Sequence, residues 1–166
     1  MPPVPGGWTW EELMGLALDE ARSAAALGEV PVGALVLDPK GRIIGLGRNS
    51  SVRDCDISAH AEIKALRAAG QTLGNYRLTD CLLVVTLEPC PMCASAIVQA
   101  RLAGLVFGAS DTLAGAVVSA VEYLDAPCAA GQSVWYLGGV LGEASAALLQ
   151  AFFASRRKPE SAFAML

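Results

Sequence analysis

Apolar residues recur at helical spacing through Trp10, Leu13, Met14, Ala17, Leu18, Ala21, Ala24 and Ala25, which predicts an amphipathic helix ending near Leu27. Thr9, with Glu12 three residues on, supplies a capping box at its start, and Gly28 a stop. The pattern then changes period. Val30 to Leu37 reads as a buried strand, Asp38-Pro39-Lys40-Gly41 as its turn, and Arg42 to Arg48 as the antiparallel partner. Asn49 to Ser58 is polar and irregular and leads into a second helix, with Ile63, Leu66 and Ala69 as its apolar face and Gly70 as its cap.

Gly74 to Arg77 reads as a loop, and Cys81 to Leu87 is the most strand-like run in the chain. Glu88-Pro89 turns into a helix running from near Pro91 to about Arg101. Gly104 to Gly108 is a short buried strand, Asp111 to Ala120 a loop, and Val121 to Leu124 one helical turn. Ser133 to Leu137 gives a fifth strand and Glu143 to about Arg157 a final amphipathic helix. Strands and helices thus alternate, which argues an α/β fold with a mixed sheet covered on both faces. One domain spans residues 8–158, between a flexible tail at 1–7 and a C-terminal tail at 159–166.

Composition narrows the class. Of 166 residues, 54% are hydrophobic, enough for a packed core without disulfide staples. The cysteines number five, an odd count that argues against a secreted disulfide framework and for reduced thiols in a cytoplasmic protein. The first seven residues lack the basic and apolar regions of a signal peptide, and no run reads as a membrane span. A net charge of −4 counts against an extended nucleic-acid surface. Local cations remain as candidates for one: Arg48, Arg53, Lys64, Arg67, Arg77 and the run Arg156-Arg157-Lys158. Most of these read as ordinary solvated side chains.

The chemistry concentrates between residues 60 and 93. His60 is the sole histidine, and Glu62 stands two residues later. Cys90 and Cys93, three apart at a helix start with Pro91 in the first helical position, share a face. A helix N-terminus favours thiolate over thiol. Two thiolates and one imidazole make three zinc ligands with a fourth position for water, the layout of a catalytic site. Glu62, about 200° round a helix from His60, is placed to move protons and not to ligate. His-x-Glu with Pro-Cys-x-x-Cys is the signature of zinc deaminases acting on nucleobases.

Longer segments sharpen this reading. Asp56 to Ile63, Asn75-Tyr76-Arg77-Leu78 and Val85 to Cys93 resemble the bacterial tRNA adenosine deaminases of the cytidine deaminase superfamily. So do Glu29 to Ala34, Phe107-Gly108-Ala109 with Asp111, and Phe152-Phe153 followed by Arg156-Arg157. The resemblance implies a three-layer α/β/α cytidine-deaminase-like fold with a five-stranded mixed sheet, and a homodimer. It implies conversion of the wobble adenosine of a tRNA anticodon arm to inosine. His60, Cys90 and Cys93 would hold Zn2+, Glu62 would be the catalytic proton shuttle, and Asn49, Val30 and Ala61 would bind the flipped nucleoside.

Two positions depart from that family. Leu113 stands where it usually has a lysine, and Ala130-Gly131-Gln132-Ser133 where it often has Asn-His-Arg. Both bear on the substrate more than on the reaction. The alternative is therefore a deaminase of a free nucleobase or nucleoside, of guanine or cytosine type. A non-catalytic subunit keeping its metal for folding is a third possibility, and the presence of Glu62 argues against it.

Overall fold

Each strand of the sheet presents apolar residues to both faces, and two helical layers cover them. The structure is a computed structural model and describes residues 4–124 and 133–157. The elements are α1 (Trp10–Ala26), β1 (Gly33–Leu37), β2 (Ile43–Arg48), α2 (Ser51–Asp54), α3 (Ala61–Leu73), β3 (Leu82–Leu87), α4 (Pro91–Gln99), β4 (Gly104–Ala109), β5 (Trp135–Leu137) and α5 (Gly142–Arg156). The sheet runs β2-β1-β3-β4-β5, antiparallel between β2, β1 and β3, and parallel from β3 through β5. This is the mixed five-stranded sheet of the expectation. No helix among the described residues is long and apolar enough to cross a membrane.

Alternate residues of the strands divide between two cores, as a period of two requires. Leu35, Leu37, Val84 and Val106 pack with Trp10, Leu13, Met14 and Leu18 of α1, with Leu148 of α5 at the margin. Ala34, Val36, Leu83, Val85, Leu105 and Phe107 pack with Ala61, Ala65 and Ala69 of α3 and Ala94 and Ile97 of α4. Gly45 and Gly47 of β2 face α3 so closely that a Cβ on either would collide with its backbone, at Ala65 and Ala61 respectively. Helix and strand therefore meet main chain to main chain.

The capping box of α1 is present: Thr9 Oγ1 accepts from the Glu12 N–H (3.2 Å), and the Thr9 N–H donates to Glu12 Oε2 (2.8 Å). Thr9→Ala is expected to cost about 1 kcal/mol and lower the melting temperature by about 2–4 °C, as a thermal melt would show.

Several local expectations are corrected. Val30 to Val32 do not join β1; the Val32 N–H donates to Val30 O around Pro31, a tight turn that carries Val30 off the sheet. Asn49 to Ser58 contains the short helix α2. Gly70 lies inside α3, and Gly74 is its left-handed cap (φ 63°). The turns after β4 fall at 112–120, and 121–124 form no helical turn. Pro5–Gly7, expected in a flexible tail, form a 3-10 turn, and the Trp8 Nε1–H donates to Gly41 O at 2.9 Å. The Ala130 to Gln132 segment, Cys128, Lys158 and the 159–166 tail lie outside the described residues.

Candidate active site

Two helix starts converge at one end of the sheet. His60 is the residue immediately before α3, with extended backbone, and Cys90 holds the same place before α4, with Pro91 in its first turn. His60 therefore stands outside the helix that carries Glu62, instead of sharing it as a helical count from the sequence assumed. Nδ1 of His60 lies 3.7 Å from Cys90 Sγ and 3.5 Å from Cys93 Sγ. Among the described residues, these three form the group whose donor atoms all lie within 4.8 Å of one another. A tetrahedral zinc with ordinary Zn–N and Zn–S bonds needs N···S separations of about 3.6 Å, so the donor set fits that ion.

The local electrostatics are those of sulfurs competing for a positive charge. The hydrogen bond from the Cys93 side chain holds Cys90 down at about 4, with His60 assisting against burial. The same hydrogen bond and burial push the Cys93 thiol far above the ordinary range. His60 is raised, chiefly through its hydrogen bond with Cys90 and against the opposing effect of burial. A cation shared by the three groups replaces that proton. Chelator-stripped protein is accordingly expected to alkylate at Cys90 with iodoacetamide even at pH 6, because the thiolate is the reactive form. Cys81, buried and pushed up to about 11, should stay unlabelled. Peptide mapping reads both sites, and added zinc should suppress the Cys90 label.

Beside the ligand cluster lies a cleft of about 310 Å³, lined by Val30, Asn49, His60, Glu62 and Cys90 together with Glu29, Glu88 and Asp111. That is the small end of the range for ligand sites and suits a single base or nucleoside, so a polynucleotide would have to present one extruded base. Glu62 is 4% exposed; burial holds its carboxyl above the ordinary range, and the Cys93 side chain is within hydrogen-bonding reach. Ala61 differs from the expectation: its side chain is fully buried in the core under the sheet and does not line the cleft.

Two acids that the sequence reading passed over also line the cleft. Glu29 accepts from Asn49 Nδ2 (3.3 Å) and from the N–H groups of Val52 (3.3 Å) and Arg53 (2.7 Å). The Glu29 oxygens accept these bonds, so the Nδ2 end of the Asn49 amide faces them. Glu88 is buried, which opposes ionisation, yet the Ser119 hydroxyl and the backbone N–H groups of Val118, Ser119 and Asp111 hold it low overall. The signal available in the sequence was an acid set between apolar neighbours, Glu29 before Val30 and Glu88 after Leu87.

The candidate cations are largely engaged. Lys64 pairs with Asp54 at 2.9 Å, and Arg48, Arg53 and Arg67 approach Glu20, Asp54 and Asp56 at 3.8–4.0 Å. Arg156 lies over the Phe152 ring and donates to Gly28 O. Exposed pairs of this kind are worth about 0–1 kcal/mol. A phosphate could compete with them.

Known proteins place the chain. Residues 9–109 match the family model of the cytidine and deoxycytidylate deaminase zinc-binding region. A tRNA-specific adenosine deaminase of Haemophilus influenzae is 45% identical over 148 residues, covering 89% of this chain and 85% of its own. A tRNA(Ile)-lysidine synthase of Deinococcus deserti is 49% identical over 145 residues; this chain spans only 27% of its length. A solved structure from work on A-to-I editing by tRNA:A34 deaminases at the wobble position matches with TM-score 0.79 and 42% identity, covering 82% of this chain and 98% of that one. A guanine deaminase from Nitrosomonas europaea matches with TM-score 0.75 and 28% identity, covering 93% and 88%. With its His-x-Glu and Cys-x-x-Cys residues gathered at one cleft, the chain belongs to the cytidine and deoxycytidylate deaminase zinc-binding family.

Proposed function

We propose that the protein is a zinc-dependent hydrolytic deaminase that converts the wobble adenosine of a tRNA to inosine. The observation that carries the reading is a buried carboxylate, Glu62, beside a three-donor zinc site at a cleft sized for one base. The choice of substrate is supported by the tRNA-specific relatives at 45–50% identity. Zinc, held by His60, Cys90 and Cys93, would supply a water whose pKa falls from ~15.7 to about 7.

Glu62 then carries protons. Burial holds its carboxyl above the ordinary range, which favours taking up a proton from water. It takes the proton of the attacking water and passes it to the ring nitrogen beside C6. The hydroxyl added at C6 then gives its proton, through Glu62, to the amine, which leaves as ammonia as the C6–N bond breaks and the C6 carbonyl forms. Val30 and Asn49 contact the base, and Glu29 orients Asn49. Ala61, whose side chain lies in the core, is left out of that contact set.

The test is a transcribed tRNA whose anticodon begins with A. Inosine at that position is the expected product, with binding that weakens steeply as salt rises because phosphate contacts release counterions. No inosine at saturating enzyme removes the tRNA assignment. Leu113, 91% exposed on the loop beside the cleft, favours the second reading, a free-base or nucleoside deaminase. Salt-indifferent turnover of guanine or cytosine would establish it.

The same reading carries a cytoplasmic site of action and a homodimer. The dimer is supported by an open groove of about 710 Å³ between α3 and α4, walled by Ile63, Leu66, Leu78 and Ala96 and bordered by Tyr76. Light scattering should give twice the 17.1 kDa chain mass; a single chain mass removes the dimer.

A further inference from the structure

The loop from Asp111 to Ser119 forms a wall of the cleft through Asp111 and Ala114, yet it contains only turns. Its backbone amides have no strand or helix to bond to, and buried amides need acceptors. They converge on one side chain. Glu88 Oε1 accepts from the N–H groups of Val117 (3.1 Å), Val118 (2.8 Å) and Ser119 (2.9 Å). Glu88 Oε2 accepts from the Asp111 N–H (3.0 Å) and the Ser119 hydroxyl. The loop is also tied to the metal-bearing segment, since the Ala116 N–H donates to Pro89 O at 2.7 Å.

Gly115 gives an independent sign that the loop is wrapped on this carboxylate. A Cβ there would lie 2.5 Å from Glu88 Cδ, 2.6 Å from Oε2 and 2.5 Å from Asp111 O. Only a residue without a side chain lets the loop close so tightly. A carboxylate has about four lone-pair positions, and five donors already address these two oxygens. Glu88 therefore has no accepting capacity left for a substrate, although it lines the cleft.

We propose that Glu88 is a positioning residue, which gathers the 111–119 loop into a preformed wall and so governs capture of the target nucleoside without taking part in proton transfer. This rests on the reading that the cleft receives that nucleoside. Glu62, His60 and Cys93 make none of the hydrogen bonds that hold the loop, whose one tie to the metal-bearing segment is the Ala116–Pro89 contact.

The test uses the zinc-loaded full chain carrying Glu88→Gln, whose amide NH2 replaces one acceptor with a donor. KM for a transcribed tRNA with A at the wobble position is expected to rise about tenfold, with kcat within about threefold and zinc still bound. Amide exchange at Val117, Val118 and Ser119 should accelerate about tenfold, while β3 and α4 keep their protection. Gly115→Ala displaces the loop from the other side and should raise KM similarly. The double variant should fall well short of the product of the two effects, because both break one contact.

If Glu88→Gln does not fold, Gly115→Ala alone carries the kinetic and exchange readouts. Loss of kcat at unchanged KM would place Glu88 in the chemistry and overturn the proposal. A lowered melting temperature with KM and loop exchange unchanged would reduce it to packing, and also overturn it. Should the wild-type chain make no inosine at all, the substrate reading falls, and the exchange measurement still decides the role of Glu88.

Discussion

Glu62→Ala is expected to keep one zinc per chain and to lose turnover by about three orders of magnitude, the upper part of the range for a positioned acid–base group. Four acids line the cleft, and the hydrogen bonds separate them. Glu29 is occupied by three donors and Glu88 by five. Asp111 Oδ1 accepts from the N–H groups of Leu113 and Ala114. Glu62 is left to face the ligand cluster, where its surroundings are the Cys93 side chain, His60 and its own backbone N–H. Metal analysis and single-turnover kinetics on the same sample check the outcome. Loss of zinc, or turnover within tenfold of wild type, would show that the shuttle is misassigned.

The same burial has a cost that zinc removal should expose. A carboxyl raised in the folded state favours folding only below its unfolded value, and that contribution disappears as pH rises through the folded one. Stripped of metal and melted at pH 7–8, Glu62→Gln should therefore be more stable than wild type. The residue that makes the reaction possible weakens the bare fold.

Cys93→Ala carries the second large effect. Its side chain is fully buried against His60 and Cys90, so the variant should lose the metal outright. A ligand present at about a thousand times its dissociation constant stabilises by about 4 kcal/mol, which for a domain of this size corresponds to about 10 °C in melting temperature. Chelation supplies the control: wild type in excess chelator should melt within a few degrees of the variant. If the gap persists in chelator, the loss is packing and not metal. Cys90→Ala should behave alike, with less packing loss because Cys90 is only half-buried.

The zinc site was legible in the sequence because its chemistry permits few residue types. An imidazole, a carboxylate and two sulfurs in the His-x-Glu and Pro-Cys-x-x-Cys arrangement match a known signature, and the structure gathers His60, Cys90 and Cys93 as that signature implies. The α1 start was legible for a similar reason, since Thr9 and Glu12 satisfy each other within one turn. Gly70 and Gly74 were interchangeable as helix stops until tertiary contacts decided between them. Val30 to Val32 carry a strand's apolarity and are drawn off the sheet by Pro31 and the cleft.

The partners of Glu29 and Glu88 were hidden for a deeper reason. Most of their partners are backbone N–H groups 23–31 residues along the chain, and a main-chain amide carries no mark of its own in a sequence. Ala61 was placed at the substrate by resemblance, and its side chain is buried in the core.

The bare contact between Gly45, Gly47 and the third helix also limits how the enzyme can be hardened. Exchanging glycine for alanine commonly stabilises a protein by restricting its unfolded chain. Here a single methyl would act as a wedge, lifting the rod that carries Glu62 away from its bed. A displacement of about an ångström at a reacting group can cost about a hundredfold in rate. Engineers seeking heat resistance should leave that keyway alone.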